Sequence, residues 1–280
     1  MTDTAAAVRG KVVAITGGAR GIGLATATAL HRLGAHVAIG DIDEQAVRAS
    51  GKSLGLDVYA TLDVTDPDSF EAFLDEVQTR LGPVDVLVNN AGIMPVGLIA
   101  DEPDAVTRRI LDINTYGVIV GTKAAVRRML PRGRGHVINV SSMAGETYTA
   151  GLSTYCASKY AVIGFTESVR VEHRGSGLDF SLMLPSFVNT ELTAGTKGIR
   201  GFRNAEPEDI AAGILSLIAR PRPKLRVSRV FGAAVVAQKF LPRRVGEALT
   251  RLLGGEHVFT DDVDPVQRRA YEERARAQGD

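Results

Sequence analysis

Short apolar runs alternate with helical patterns along most of the chain, and this rhythm limits the folds open to it. Strand-like runs occur at Val12–Thr16, 35–39, 58–62, 84–88, 137–140 and 178–184, and helical patterns at 22–33, Glu44–Leu54 and 69–81. Alternating strands and helices predict a parallel sheet with helices on both faces. The runs are almost continuously apolar, as buried parallel strands are. The sequence therefore predicts a doubly wound α/β fold.

The size and charge of the chain fit one large α/β domain. With 280 residues, of which 45% are hydrophobic and 23% charged, the chain can bury one large core. The 33 Lys and Arg residues nearly balance the 32 Asp and Glu residues, for a formal net charge of +1. No global field therefore favours nucleic acid or an anionic membrane as a partner.

Residues that bind metals or form disulfides are scarce. Cys156 is the only cysteine, and the five histidines include no His-x-x-x-His pair. We therefore expect neither a disulfide nor a catalytic metal. The start of the chain lacks a basic stretch followed by an apolar run, and no apolar run reaches the roughly 18 residues that suggest a membrane-spanning helix. We expect a soluble, cytoplasmic protein.

A glycine-rich turn follows the first apolar run and leads into a helical pattern. Glycines let backbone N–H groups approach a pyrophosphate, and the N-terminus of a helix adds a favourable dipole. A glycine-rich turn alone also occurs between an ordinary strand and helix. The turn reads Thr16-Gly17-Gly18-Ala19-Arg20-Gly21-Ile22-Gly23, and its candidate dinucleotide-binding residues are Gly17, Arg20, Gly21, Ile22 and Gly23.

A carboxylate stands just after the second apolar run, at Asp41, eighteen residues past Gly23. There it can accept hydrogen bonds from the diol of an adenosine ribose, and it would repel a 2′-phosphate. Arg20 acts in the opposite sense, because it lies in the loop and could pair with a 2′-phosphate. Arg20 could equally be solvated or form an ion pair at a helix end. The balance favours NAD over NADP.

Tyr155 and Lys159 stand four residues apart in a helical pattern, thirteen residues downstream of Ser142. This spacing places both side chains on one face of a helix. An ammonium group favours a nearby phenolate, so we expect Lys159 to lower the pKa of Tyr155 from about 10 toward neutrality. Tyr155 could then act as an acid or a base. The alternative is an exposed Tyr and Lys on a surface helix.

Seven motifs in order make the chain similar to the classical short-chain dehydrogenases/reductases over roughly residues 10–220. The resemblance implies a Rossmann-like fold, an NAD(P) cofactor, a small-molecule alcohol or ketone as substrate, and a homo-oligomer. The motifs are the glycine loop, Asp63-Val64, Asn89-Asn90-Ala91-Gly92, Asn114, Ser142, Tyr155 and Lys159.

The resemblance also implies a role for each matched catalytic residue. Tyr155 would be the acid/base on the substrate oxygen, and Ser142 would steady that oxygen. Lys159 would hold the nicotinamide ribose and lower the pKa of Tyr155. Asn114 would order a water that leads to Lys159.

The cofactor contacts follow from the same resemblance. Asp63 and Val64 match the adenine contacts, and 90–92 match the wall beside the adenosine ribose. In the segment Pro185-Ser186-Phe187-Val188-Asn189-Thr190, the Val188 backbone and the Thr190 hydroxyl match contacts to the cofactor carboxamide, and Pro185 begins the motif. The chain departs from the family at Ser186, which replaces a glycine; its side chain would narrow the substrate cleft.

Candidate substrate contacts follow the motifs in the chain. They are mostly apolar and indicate a hydrophobic alcohol or ketone, although methionines also fill gaps in protein cores. No Arg or Lys is obviously placed to bind a carboxylate. The candidates are Met94, Met143, Tyr148 and Leu152.

The C-terminal part departs from the family. We expect a last strand near 225–230, a dinucleotide-binding and catalytic domain over 1–230, and a helical extension over 231–280 packed on it. Val245, Ala248, Leu249, Leu252 and Leu253 form an apolar stripe at helical spacing. The stripe favours packing on this chain or a sister subunit. Contact with a membrane surface is the alternative, because arginines lie near the stripe.

Three functions are compatible with these patterns. The first is an NAD-dependent alcohol dehydrogenase or carbonyl reductase, with an NADP-dependent reductase as a variant. The second is a regulator that binds NAD(P) without turnover, because a fold alone does not establish catalysis. The third is an assembly or membrane-surface role of the C-terminal segment. The four proton-handling residues favour the first.

Overall fold

Seven strands form the centre of the molecule. The computed structural model describes residues 2–196, 198, 203–238, 240–242, 244–245, 248, 258–260 and 263–277. The strands are β1 (Val12–Thr16), β2 (His36–Asp41), β3 (Val58–Thr61), β4 (Val86–Asn89), β5 (Gly135–Val140), β6 (Leu178–Pro185) and β7 (Lys224–Val227). They form one sheet in the order β3-β2-β1-β4-β5-β6-β7, and every neighbouring pair is parallel.

Helices connect the strands. Several helices begin where the sequence supplies a cap. Asp66 precedes α4, and its carboxylate accepts a hydrogen bond from the Asp68 N–H in the first turn of that helix. Pro67 is the first residue of α4, a position that suits proline. The helices are α1 (Thr2–Val8), α2 (Gly21–Arg32), α3 (Glu44–Leu54), α4 (Pro67–Leu81), α5 (Asp104–Leu111), α6 (Gly117–Met129), α7 (Ser153–Glu172), α8 (Pro207–Ala219), α9 (Arg229–Gln238) and α10 (Pro265–Ala277).

Strands β1 to β6 contribute alternate side chains to hydrophobic cores on the two faces of the sheet. In β1, Val13 and Ile15 lie in a core with residues of α2 and α8. Val12 and Ala14 lie in the opposite core, with residues of α4 and α6. Side chains alternate between the two faces of a strand, so an all-apolar strand requires cover on both. The predicted doubly wound, Rossmann-like α/β fold is confirmed.

The strand order reverses beside β1, which pairs with β2 on one side and β4 on the other. The connections that leave β1 and β4 therefore run to opposite sides and open a crevice at their carboxyl ends. Ligands of open α/β sheets bind at such a point. The glycine turn after β1 and the Asn89-Asn90-Ala91-Gly92 segment after β4 both lie there.

A π-helical turn, Asp112–Tyr116, joins α5 to α6. Such turns contain one residue more than an α-helical turn and often mark functional sites. Asn114 lies in this turn and is fully buried.

The C-terminal part differs from the predicted pattern. The last strand is Lys224–Val227, and α9 begins at Arg229, so the prediction of a strand to 230 is wrong. Ser228 between them has a φ of 64°, a left-handed conformation that reverses the chain after β7. The apolar stripe lies largely outside the described residues. The division at residue 230 remains a prediction.

None of the helices in the described part of the chain is long and apolar enough to cross a membrane.

Candidate active site

A cavity of about 1270 Å³ opens at the carboxyl ends of the strands and collects most of the predicted site residues. Gly23, Asn114 and Leu152 are buried in the layer behind its lining. The predicted residues that line it are Gly17, Arg20, Gly21, Ile22, Asp41, Asp63, Val64, Asn90, Ala91, Gly92, Met94, Ser142, Met143, Tyr148, Tyr155, Lys159, Pro185, Val188 and Thr190.

The glycine turn is packed too closely to admit side chains. A Cβ on Gly23 would lie 2.1 Å from the Gly17 carbonyl oxygen, and one on Gly17 would lie 2.9 Å from the Ala91 Cα. Gly17 also has a φ of 63°, which favours glycine. This packing leaves the backbone of the turn exposed to the cavity, as close approach of a pyrophosphate requires.

Asn90 and Thr16 hold the turn in place. Asn90 Nδ2 donates to the carbonyl oxygens of Thr16, at 2.9 Å, and Gly17, at 3.0 Å. Thr16 Oγ1 accepts the Asn90 and Ala91 N–H groups, both at 3.0 Å. Sequence reasoning missed Thr16, although a threonine that ends a strand before a glycine turn is a recognisable signal. Asn90 thus supports the phosphate turn as well as lining the cavity.

Helix α2 points its N-terminus at the cavity. Its first residues, Gly21 and Ile22, line the cavity, and the preceding Arg20 provides no side-chain cap. The first N–H groups of a helix have no partner within the helix. The N-terminus of α2 is therefore suited to bind a negatively charged group.

Two carboxylates lie at the end of β2. Asp41 accepts the Ala19 N–H at 3.1 Å and the Asp43 N–H at 3.2 Å, and its burial raises its pKa. Arg20 donates to Asp43 at 2.6 Å, and Asp43 caps α3. Of the three states considered for Arg20, the structure shows the ion pair at a helix end.

The next loops complete this side of the cavity. Asp63 Oδ1 accepts both the N–H and the hydroxyl of Thr65, at 2.8 Å and 2.7 Å. Val64 packs against Gly117, where an added Cβ would lie 2.8 Å from Val64 Cγ2. Both predicted adenine contacts therefore lie on an ordered turn before α4.

Ser142 and Tyr155 form a pair in the cavity lining. The Ser142 hydroxyl lies close enough to act on Tyr155 as a hydrogen-bond partner that lowers its pKa. Ser142 Oγ accepts the Ala144 N–H at 3.0 Å, so its own hydrogen can point to the Tyr155 oxygen. Tyr155 is 7% exposed, which excludes the alternative of a solvated tyrosine on a surface helix.

Burial shifts the pKa values of both Tyr155 and Lys159. It raises the pKa of Tyr155 to about 12, although the Ser142 hydrogen bond acts in the opposite direction. It lowers the pKa of Lys159 to about 8. The expected lowering of the Tyr155 pKa is therefore wrong for this arrangement, because loss of solvation outweighs any stabilisation of the phenolate by Lys159.

Lys159 nevertheless lies beside Tyr155, as predicted. Its Nζ is 5.7 Å from the centroid of the Tyr155 ring and donates to the Val140 carbonyl oxygen at 3.2 Å. A Cβ on Gly92 would lie 3.5 Å from Lys159 Nζ and 3.1 Å from Asn114 Oδ1. The lysine ammonium therefore lies between the end of β5 and the Asn89-Asn90-Ala91-Gly92 segment.

Asn114 is fully engaged with the protein. Its Oδ1 accepts the Ile93 N–H at 2.8 Å, and its Nδ2 donates to the Ile93 carbonyl oxygen and to Ser158 Oγ. These contacts join the π-helical turn to α7 and to the strand β4 loop. A water between Asn114 and Lys159 remains a prediction.

The segment after β6 forms a third side of the cavity. Val188 pairs with Ala205 in an isolated bridge, and Thr190 lies near Gly21, where an added Cβ would be 3.4 Å from Thr190 Cγ2. Ser186 lines the cavity, as expected of a side chain that narrows it. Its Oγ is buried without a hydrogen-bond partner among the described residues.

The comparison with protein families matches this geometry. The sequence model of a family described as short chain dehydrogenase matches residues 11–198. The chain belongs to the short-chain dehydrogenase family.

Its relatives share most of this length. A curated protein of Mycobacterium tuberculosis named 3-alpha-(or 20-beta)-hydroxysteroid dehydrogenase is 38% identical over 213 residues, which cover 76% of this chain and 78% of the relative. The cis-4-hydroxycyclohexanecarboxylate dehydrogenase of Sinomonas cyclohexanicum is 37% identical, covering 74% of this chain and 88% of the relative.

A solved structure gives the same picture of this short-chain dehydrogenase. A short-chain dehydrogenase/reductase from Burkholderia phymatum, crystallised in complex with NAD, aligns with a TM-score of 0.75 at 25% identity. The alignment covers 82% of this chain and 93% of that one. The protein is therefore an oxidoreductase with a nucleotide-binding Rossmann fold, and its family uses NAD(P).

The predicted substrate residues of this short-chain dehydrogenase divide into three groups. Met94 and Leu152 pack with Tyr155 in one small hydrophobic cluster. Met143 packs in another, with Leu184 and Val235. Tyr148 is 54% exposed at the edge of the cavity. Apolar side chains thus lie directly beside the Ser142 and Tyr155 pair.

Sequence reasoning missed the C-terminal contribution to the cavity of this dehydrogenase. Helix α10 contributes Tyr271, Arg274, Ala275 and Arg276 to the lining, and α9 contributes Phe231 and further residues. Phe259 also lines the cavity and stacks on Phe187, with ring centroids 5.5 Å apart. No motif marks these residues, because they lie beyond the segment that resembles the family.

Arg268 fastens α10 over the cavity. It is 1% exposed, and its Nη1 donates to the carbonyl oxygens of Leu192 and Ala194, at 2.7 Å and 3.2 Å. Its Nη2 donates to the Met94 carbonyl oxygen and its Nε to Glu272. One buried guanidinium therefore joins α10 to two loops that border the site.

Proposed function

We propose that the protein transfers a hydride between NAD(H) and the CH–OH or C=O group of a hydrophobic small molecule, with Tyr155 as the acid/base. The observation that supports this most directly is the placement of Ser142, Tyr155 and Lys159 in one cavity with the N-terminus of α2. One cavity therefore contains both a polar pocket suited to a nucleotide and a group that could donate a proton.

The residues of the cavity fit a dinucleotide. Gly17, Gly21 and Ile22 would bind the pyrophosphate through backbone N–H groups, Asp41 the adenosine ribose, and Lys159 the nicotinamide ribose. Asp63 and Val64 would contact the adenine, and Pro185, Val188 and Thr190 the carboxamide side. When bound, the nicotinamide supplies the hydride acceptor or donor.

Tyr155 would handle the proton. With a pKa of about 12, its phenol is protonated at neutral pH and can donate to an oxygen that gains negative charge during ketone reduction. In the direction of alcohol oxidation, Tyr155 would first lose its own proton to solvent, and the phenolate oxygen would then accept the proton of the alcohol. The Ser142 hydroxyl lies beside it and would stabilise the reacting oxygen by hydrogen bonding.

The charges at the end of β2 support NAD as the cofactor. Asp41 and Asp43 both line the cavity there, and either carboxylate would repel a 2′-phosphate. Arg20, which could bind that phosphate, pairs with Asp43. NADP would have to displace this ion pair and bring its phosphate close to Asp41.

The apolar side chains near Tyr155 support a hydrophobic substrate. Met94, Met143, Phe187 and Phe259 line the cavity on this side. The two relatives are named for a hydroxysteroid and a hydroxycyclohexanecarboxylate, each a secondary alcohol whose carbon skeleton contains saturated rings. We therefore propose a cyclic or polycyclic secondary alcohol, or the corresponding ketone.

A spectrophotometric screen tests this proposal. Purified protein is assayed with NAD and with NADP against cyclic secondary alcohols, and with the reduced cofactors against cyclic ketones, by the absorbance of the reduced nicotinamide. We expect turnover with NAD. In Tyr155→Phe, turnover should fall at least ~10²–10⁴-fold, the usual value of general acid-base catalysis.

NADH binding separates this result from a misfolded variant. Fluorescence titration should give nearly the same NADH affinity for Tyr155→Phe and the unmodified protein. Turnover by Tyr155→Phe at the unmodified rate would refute the acid/base role. NADH binding without turnover of any compound would favour the regulator.

A further inference from the structure

Tyr271 brings a second phenol to the cavity from α10. It is 7% exposed, and its Oη accepts the Met94 N–H at 2.7 Å. The Arg268 guanidinium packs over the Tyr271 ring, with its carbon 4.9 Å from the ring centroid. Tyr271 is thus a buried, fixed side chain that lines the same cavity as Tyr155.

The hydroxyl hydrogen of Tyr271 has no acceptor among the described residues. The Met94 N–H uses one lone pair of the oxygen, which leaves the O–H available as a donor. Met94 and Phe259 line the cavity with Tyr271, and α10 also contributes Arg274 and Arg276, which like Met94 and Phe259 offer no side-chain acceptor. A buried donor without a partner is costly, so an acceptor on a bound molecule would stabilise the arrangement.

The reacting oxygen does not need this donor. A carbonyl oxygen has two lone pairs, and Ser142 and Tyr155 already supply two hydroxyl groups to that position. Tyr155 and Tyr271 are close enough to influence each other: burial raises the pKa of Tyr271, and the nearby Tyr155 adds to the shift. Tyr271 therefore stays protonated across the working pH range and acts as a donor.

We propose that Tyr271 donates a hydrogen bond to a second oxygen of the substrate, so that the site selects ketones and alcohols with an acceptor besides the reacting oxygen. This inference rests on the proposed function, because it places the substrate between Tyr155 and α10. Arg268 is a positioning residue in this arrangement, since it fixes both α10 and the Met94 carbonyl group.

Matched ketones test the inference. Cyclohexanone is compared with cyclohexane-1,4-dione, and 5α-androstan-3-one with 5α-androstane-3,17-dione, so that the second oxygen is offered at a short and a long distance. In the Tyr271→Phe variant, we expect kcat/KM for the dione of at least one pair to fall about tenfold, mainly through KM. The matching monoketone should stay within about twofold.

Tyr160→Phe is the control, because Tyr160 lies on the outer face of α7, is 46% exposed and does not line the cavity. It should leave both members of each pair unchanged. If Tyr271→Phe lowers monoketone and dione equally, it acts by moving Met94, and the inference is wrong. If it changes neither, Tyr271 makes no hydrogen bond to the substrate.

The two proposals can fail separately. If the unmodified protein reduces no ketone of the panel or of the wider screen, the proposed function fails and the inference fails with it. If the unmodified protein reduces ketones and Tyr155→Phe does not, but Tyr271→Phe shows no preference within either pair, only the inference fails.

Discussion

The two ends of the cavity are built in different ways. The end that we propose binds the nucleotide, formed by the turn after β1, the end of β2 and the segment after β4, is polar and is held by close backbone packing. The end that we propose binds the substrate, formed by Met94, Phe187, Leu192, Phe259 and α10, carries more apolar side chains. It is held by Arg268 and by contacts between residues far apart in sequence.

This difference in construction gives separate predictions for the two ends. At the nucleotide end, a methyl group added to Gly17 or Gly23 would clash with backbone atoms. Close packing therefore restricts these two positions to glycine. At the substrate end, the buried Arg268 side chain is one of several contacts that join α10 to the loop at Met94 and to the segment after β6. Substitutions at the first should therefore change cofactor binding, and substitutions at the second should change the substrate constants while leaving the cofactor constants intact.

The largest effect is expected from Gly23→Ala at the nucleotide end. The new Cβ would lie 2.1 Å from the Gly17 carbonyl oxygen. Overpacking of this kind costs about 1–3 kcal/mol, which corresponds to as much as ~100-fold in NADH affinity. Fluorescence titration with NADH measures it, with urea unfolding as the check on stability.

Gly164→Ala is the matched control on α7, where an added Cβ meets no atom within 4 Å. It should raise the free energy of unfolding by about 0.5–1 kcal/mol, because alanine favours the helix. NADH affinity should not change. Equal NADH binding in both variants would show that packing does not restrict the nucleotide end.

Arg268→Met tests the substrate end. It removes hydrogen bonds to three backbone carbonyl groups and an ion pair with Glu272. Breaking a buried ion pair costs about 3 kcal/mol or more, and we expect a loss of that size in urea unfolding. KM for a ketone that the protein reduces should rise about tenfold while NADH affinity is retained.

Arg269→Met is the control for this variant, because Arg269 is the exposed neighbour on the same helix. It should behave like the unmodified protein in both measurements. A loss of NADH affinity in Arg268→Met as large as the change in KM would mean that the two ends are coupled.

Asp41→Ala sharpens the comparison within the nucleotide end. Loss of the carboxylate should lower the affinity for NADH about tenfold and remove the repulsion of a 2′-phosphate.

Asp43→Asn weakens the ion pair with Arg20 but leaves Asp41 in place. It should raise the affinity for NADPH severalfold with little change in the affinity for NADH. The ratio of NADH to NADPH dissociation constants is the measurement. An unchanged ratio in both variants would show that neither carboxylate faces the ribose.

Neither end of the cavity should respond to a change at Glu146, which joins the loop after β5 to β7. Burial raises the pKa of Glu146, but hydrogen bonds from Arg226 and Lys224 outweigh it and lower the pKa to about 2. A carboxyl group with a lowered pKa stabilises the fold above its unfolded value of 4.5, and this contribution is lost as the pH falls toward 2. Glu146→Gln should therefore cost about 2 kcal/mol at pH 7, and less at pH 3.

Urea unfolding at both pH values measures this difference. NADH affinity at pH 7 should not change, because Glu146 lies away from the nucleotide end. A gap between Glu146→Gln and the unmodified protein that stays the same at pH 3 would contradict the lowered pKa.

The parts of the fold that depend on local pattern could be predicted from the sequence. The apolar runs identify the strands because a parallel strand covered on both faces has little choice of residue. The position of Asp41 could be predicted in the same way, because the apolar run marks β2 and Asp41 is the last residue of that strand. The end of β7 was misplaced because Ser228 carries an unusual conformation that its residue type does not indicate.

The chemistry of the site was harder to predict, because it depends on burial. The spacing of Tyr155 and Lys159 predicts that they lie on one face of a helix. Their pKa values depend on burial by other segments of the chain, which the spacing does not reveal. One of those segments, α10, is 116 residues beyond Tyr155 at Tyr271 and has no motif. A lone arginine such as Arg268 cannot be distinguished in sequence from the solvated arginines around it.

The π-helical turn at Asp112–Tyr116 has a consequence for insertions and deletions in this protein. The turn holds one residue more than an α-helical turn, so deleting one residue would restore regular α-helical winding there and move the residues of the turn around the helix axis. The amide of Asn114 would then face away from Ile93 and Ser158. The residue count of the turn between α5 and α6 therefore fixes the position of Asn114 against Ile93 and Ser158.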